Sequence, residues 1–138
     1  MPNLFRHDGE TSNTTKLTVR HHKTFIVSKY MTKGGYVYIM SNVNRTTFYI
    51  GVTSNIERRV LEHKAGVGSE FTSKYNLHDL LLAGRLPDIE AAIQREKQLK
   101  NWHRDWKLNL IRQENPELSD LAKDWFSKQD IQDIKGIK

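Results

Sequence analysis

Tyr38, Tyr49, Arg59, His63 and Glu96 are the residues whose types and spacing suggest shared chemistry. Eleven positions separate the two tyrosines, ten more lead to Arg59, and four more to His63. A phenol near a metal or an arginine can have a lowered pKa and move a proton. A guanidinium stays charged, and its fork matches phosphate oxygens. An imidazole one helical turn further on can transfer a proton or contact a phosphate. A carboxylate on an apolar helix stripe is costly unless partnered. In a cleft it can hold a hard divalent cation such as Mg²⁺, with water and phosphate oxygens in the other positions.

Each residue alone also has a plainer use. Tyrosines stack across hairpins. Arg58 and Arg59 suit a solvated helix face, and His63 a polar surface. Glu96 can sit at the edge of its stripe and pair with Arg95 or Lys100. The run "RHHK" at 20–23 has no further spaced ligand and makes a weak metal site.

The elements that must position these groups are readable in outline. "YVYIMS" and "TTFYIGV" have the β-branched and aromatic composition of strands, and "NVNR" supplies a turn between them. Pairing Ser41 with Thr46 sets Tyr38 opposite Tyr49 and Tyr36 opposite Gly51. Side chains two apart share a face. Tyr36, Tyr38 and Tyr49 then cluster on one face, with Val37, Ile39, Phe48 and Ile50 on the other. "TSNIERRVLEHKAG" reads as a helix, with Ser54 and Glu57 as a capping box, Gly66 as the stop, and Ile56, Val60 and Leu61 as the apolar stripe.

Residues 66–79 read as a polar loop, and "LLLA" at 80–83 as a third strand. Asp88 caps a helix over roughly 89–103, whose stripe Ile89, Ala92, Ile93 and Leu99 includes Glu96. Residues 105–113 suggest another helix, with Trp102, Trp106, Leu108 and Ile111 as packing residues. A last helix is expected after Pro116, followed by a frayed polar tail. Residues 1–33 are expected to be a disordered or loosely ordered extension, and "MTKGGYVYIM" resembles a protein start at Met31. The domain proper is placed at 34–112, with 113–138 packed on it.

Composition narrows the classes. The 138 residues suit one domain. There is no apolar run of membrane-spanning length and no secretory signal pattern. The absence of cysteine fits a cytoplasmic location and excludes thiol chemistry and Cys-ligated zinc. The net charge of +6 is compatible with a nucleic-acid partner. Residues 1–33 and 34–112 each carry +4, and residues 113–138 carry −2.

The joint spacing resembles the GIY-YIG nuclease family, closest in style to its small single-domain members. "VYI" at 37–39 stands where the Gly-Ile-Tyr element would be, with Tyr38 matching its tyrosine; "YIG" at 49–51 is intact. Arg59, His63 and Glu96 match the family's arginine, histidine and metal-binding glutamate. The resemblance implies an α+β fold with a small, mainly antiparallel three-stranded sheet flanked by helices. It implies metal-dependent hydrolysis of a DNA phosphodiester, with Mg²⁺ or Mn²⁺ on Glu96, Arg59 on the phosphoryl oxygens, and either Tyr38 or Tyr49 as the base. His63 would assist the proton transfer. Asn109 is only a loose match to a family asparagine. Tyr36 stands at the glycine position, where it either narrows access or stacks on a base. Arg58, Lys64 and Tyr36 are the expected nucleic-acid contacts.

Three readings follow. The first is a DNA endonuclease of repair or recombination, aided by a homodimer or a targeting partner. The second is a non-catalytic nucleic-acid-binding module, and the third a protein-interaction domain on the same scaffold. Retention of the tyrosines, Arg59 and Glu96 favours the first.

Overall fold

The computed structural model describes residues 34–137; the N-terminal extension and the "RHHK" run lie outside them. Three strands, β1 (Gly35–Ser41), β2 (Phe48–Thr53) and β3 (Asp79–Leu86), form one antiparallel sheet in the order β2-β1-β3. Among the described residues five helices accompany it: α1 (Ile56–Lys64), α2 (Glu70–Lys74), α3 (Ile89–Lys100), α4 (Arg104–Glu114) and α5 (Lys128–Ile137). This is the expected α+β architecture.

Central placement explains why β1 is buried along its whole length. Both of its faces are covered, so its sequence need not alternate apolar with polar. One face carries Val37 and Ile39 and packs with Ile50, Leu99, Trp102, Leu110 and Ile111. The other carries Tyr36, Tyr38 and Met40 and packs with Ile56, Val60 and Leu77. Each fully buried aliphatic side chain of this kind stabilises by roughly 1.5–3 kcal/mol.

The hairpin register differs from expectation by two residues. Tyr38 pairs with Gly51, and Met40 with Tyr49. The reason is a longer turn. The Asn42 side-chain carbonyl accepts from the Thr46 and Thr47 N–H groups, and Arg45 takes a left-handed φ of 59°. An even shift preserves faces, so the three tyrosines still share one. In β3, Ile39 pairs with Leu82 while Met40 pairs with Leu80. Leu81 is the extra residue of a bulge, and both Leu81 and Leu82 join the Val37 side of the core.

Four local expectations are corrected. Asn55, not Ser54, caps α1, accepting from the Arg58 N–H. The stretch 66–79 contains α2, capped by Ser69. No helix occupies residues 115–127. There the Asn115 side chain bonds Leu81 and Ser119, Leu118 takes φ 52°, and the chain turns back along β3. The tail is a helix, α5, started by a reciprocal Ser127–Asp130 capping box and anchored by buried Ile134. The expected end of α1 is as read. The Gly66 N–H reaches the His63 carbonyl and the Val67 N–H reaches that of Glu62, a Schellman pair. No helix among the described residues is long and apolar enough to cross a membrane.

Candidate active site

Tyr38 is the centre of the site. It stands on the central strand, is 1% exposed, and points at the inner side of α1. Its hydroxyl lies 3.0 Å from His63 Nε2 and accepts from Arg59 Nε at 3.3 Å. Positions 59 and 63 are one turn apart, so α1 offers both groups to the same phenol. Tyr49 reaches the cluster from β2. Its ring centroid is 6.3 Å from that of Tyr38 and 5.6 Å from that of His63.

His63 is fully buried, and α2 holds its far side through Thr72 Oγ1, 3.0 Å from Nδ1. Burial foremost, then the Arg59 charge, pushes its pKa down to about 4, so the imidazole is neutral near pH 7. A neutral ring carries one N–H. With that proton on Nδ1, it donates to Thr72, whose hydroxyl can donate in turn to Ser69. Nε2 then accepts the Tyr38 proton, while the Tyr38 oxygen accepts from Arg59. The other tautomer would leave a buried phenolic O–H without an acceptor, a costly state.

Burial raises the Tyr38 pKa to about 12, against the opposing pull of Arg59. Burial alone would lower the Arg59 pKa, yet its bonds to Tyr38 and Glu62 raise it, so it is firmly cationic. Burial would raise the Glu62 pKa, but the bonds from Arg59 and Arg58 hold it below the usual carboxylate range. Glu62 takes Arg59 at 2.9 Å and Arg58 at 3.2 Å.

Two glycines are set by contact distance. A Cβ on Gly51 would lie 2.5 Å from Tyr38 Oη, and one on Gly68 would collide with His63 Nδ1. The glycine of "YIG" is therefore the space into which the Tyr38 ring fits. Sequence reasoning missed Glu62, Thr72, Ser69 and Gly68. The i+3 and i+4 spacing of Glu62 from the two arginines was the available signal; the His63–Thr72 contact had none.

The remaining expected residues are placed differently. Tyr36 is buried, and its hydroxyl bonds Arg85. Arg58 is half exposed. Lys64 is largely buried, donating to Asp120 at 2.6 Å and to the His78 carbonyl. Asn109 is exposed on α4. Glu96 is on α3, which packs over β1 and β2 through the Val37 side of the sheet. Its side chain is 17% exposed and pairs with Lys100 at 3.0 Å. No hydrogen bond, ion pair or ring contact among the described residues joins Glu96 to Tyr38, Tyr49, Arg59 or His63.

A cage of three or more His, Cys, Asp or Glu side chains is absent among the described residues. The expected metal ligand is a single carboxylate, Glu96, partly accessible to solvent and paired with Lys100. That fits Mg²⁺, which keeps several waters and is held through one or two carboxylates plus substrate phosphates.

Comparison with known proteins identifies the family. The family model of the GIY-YIG catalytic domain matches residues 34–109, and the chain belongs to that family. The family is nuclease-type. Among curated relatives, a UPF0213 protein of Natronomonas pharaonis is 39% identical over 79 residues, covering 57% of this chain and 92% of the relative. One of Syntrophus aciditrophicus is 37% identical over 83 residues, covering 59% and 93%. One of Staphylococcus haemolyticus is 32% identical over 76 residues, covering 55% and 92%. Their names state no activity. No solved structure matches this chain.

Proposed function

We propose that the protein is a metal-dependent endonuclease that hydrolyses DNA phosphodiester bonds, in DNA repair or recombination. The observation that carries this reading is the Arg59–Tyr38–His63 array, in which one buried phenol touches a partly exposed cation and a buried, neutral imidazole. Such an array can take a proton and stabilise the negative charge left behind.

Tyr38 is the base in this reading. As water attacks phosphorus, its proton passes to the Tyr38 oxygen, and the Tyr38 proton passes to His63 Nε2. Arg59 lowers the cost of any phenolate character. Its donors not engaged by Tyr38 and Glu62 face the phosphoryl oxygens. The bond to the 3′ oxygen breaks as the new P–O bond forms. Tyr49 walls the site with its ring. Glu96 would hold Mg²⁺ or Mn²⁺, which when bound supplies positive charge to the scissile phosphate and the leaving oxygen.

One observation favours the second reading, a nucleic-acid-binding module without catalysis. Glu96 is tied to Lys100 and is not in contact with the array. A direct test incubates wild type and Glu96→Ala with branched, flapped and linear DNA at low salt, with Mg²⁺ or Mn²⁺. The endonuclease reading expects cleavage by wild type alone. Equal binding and no cleavage by either protein would establish the binding module instead.

A further inference from the structure

Tyr49 continues outward into a row of rings that the site does not use. Its ring stacks on Phe71 at 6.2 Å between centroids and 29° between planes, and Phe71 meets Tyr75 at 4.9 Å. Phe71 and Tyr75 are each 44% exposed, though both are large aromatic side chains. Phe71 lies on α2 and Tyr75, four residues on, is its C-cap, and the Lys74 ammonium stands 5.3 Å from the Tyr75 ring centre. Thr72 of the same helix points inward and holds His63. One short helix thus fixes the imidazole on its inner side and shows two rings on its outer side.

We propose that Tyr49, Phe71 and Tyr75 form a stacking platform for the unpaired bases of single-stranded DNA adjoining the scissile phosphate. This rests on the nuclease reading and deepens it by naming the form of the substrate. Aromatic rings bind bases of any sequence through their π faces, provided those faces are free. In a duplex they are covered by neighbouring base pairs, and exposing one requires unstacking. The platform begins at a ring of the site itself, so bases seated on it deliver the attached phosphate towards Arg59. Lys74 supplies a cation beside the outermost ring.

The test measures binding of a fluorescein-labelled oligothymidylate and of a mixed-sequence duplex of equal length by anisotropy, in EDTA. Wild type, Phe71→Ala, Tyr75→Ala, Phe71→Leu and Phe71→Trp are compared. Each ring loss is expected to weaken single-strand binding roughly 5- to 150-fold and to move duplex binding less than about two-fold. Phe71→Leu should behave as Phe71→Ala, and Phe71→Trp should retain binding. Unchanged single-strand affinity, or equal losses on both ligands, overturns the platform. Equal losses together with lowered melting temperatures assign the rings to stapling α2. The same proteins are assayed for cleavage with Mg²⁺. If wild type cuts nothing, the hydrolase reading fails while the EDTA result still decides the platform.

Discussion

At the scale of single residues, burial sets the chemistry more than charge does. His63 is held neutral by its surroundings, and this has a consequence for stability. Its folded pKa of about 4 lies below the unfolded value of about 6.5. Below pH 6.5 the unfolded chain therefore binds a proton that the folded chain refuses. Stability should fall as pH drops from 6.5 to 4, by up to about 3 kcal/mol. The Glu62 shift has the opposite origin and acts only at lower pH, where its carboxylate protonates in the unfolded chain. Thermal melts of wild type and His63→Gln between pH 7.5 and 4.5 should separate the two, about 1–2 pH units above the carboxylate range. The variant is expected to lose the His63 share of the slope above pH 5, leaving the part due to His78, whose pKa burial also lowers. Gly51 offers a second check. Its missing Cβ is occupied by the Tyr38 ring, so Gly51→Ala should cost about 1–3 kcal/mol by overpacking. The same change in a Tyr38→Leu background should cost clearly less, as a double-mutant cycle of denaturation midpoints would show.

At the scale of elements, the sequence was most legible where periodicity carried the information. Alternation in "YVYIM" and "TTFYIGV" assigned the two faces correctly even though the register was misjudged, because an error of two leaves every face unchanged. The register depended on the Asn42 side chain closing the turn, a contact that composition does not specify. Caps were legible to within one residue. Asp88 caps α3 as read, whereas Asn55 displaced Ser54 on α1. Replacing Asn55 by alanine should lower stability by about 1 kcal/mol, and Ser54→Ala should change it by no more than a few tenths. Equal effects in chemical denaturation would contradict this cap. The short helix α2 was overlooked because five residues are too few to show a period, although Ser69 preceding Thr72 by three was a capping signal. At 116–126 the sequence offers only Pro116 as a helix signal, and no helix forms there. Asn115 and Leu118 redirect that segment through long-range bonds no local rule contains.

At the scale of the whole molecule, the site is assembled from four elements and clamped by a segment beyond the matched family domain. Residues 115–137 lie outside the match to 34–109. Asp120 nonetheless accepts from the backbone of Leu80 and Ala122 and from Lys64, the neighbour of His63 on α1. Asp120→Ala should therefore lower stability by about 2–4 kcal/mol, since it strands a largely buried ammonium and a strand-edge N–H. Of the five residues expected together, Tyr38, Tyr49, Arg59 and His63 meet in the structure, whereas Glu96 pairs with Lys100 instead. The order of contact among the four was not legible from spacing, since the hydroxyl of Tyr38 is central and Tyr49 contributes its ring. The most direct measurement of the central claim compares DNA cleavage rates of wild type, Tyr38→Phe and Tyr49→Phe with Mg²⁺ at one pH. Tyr38→Phe is expected to lose at least about 100-fold, the scale of a missing acid–base group, while Tyr49→Phe, which keeps its ring, retains most of the rate. A Tyr38→Phe enzyme that cuts as fast as wild type, or a loss confined to Tyr49→Phe, would contradict the account.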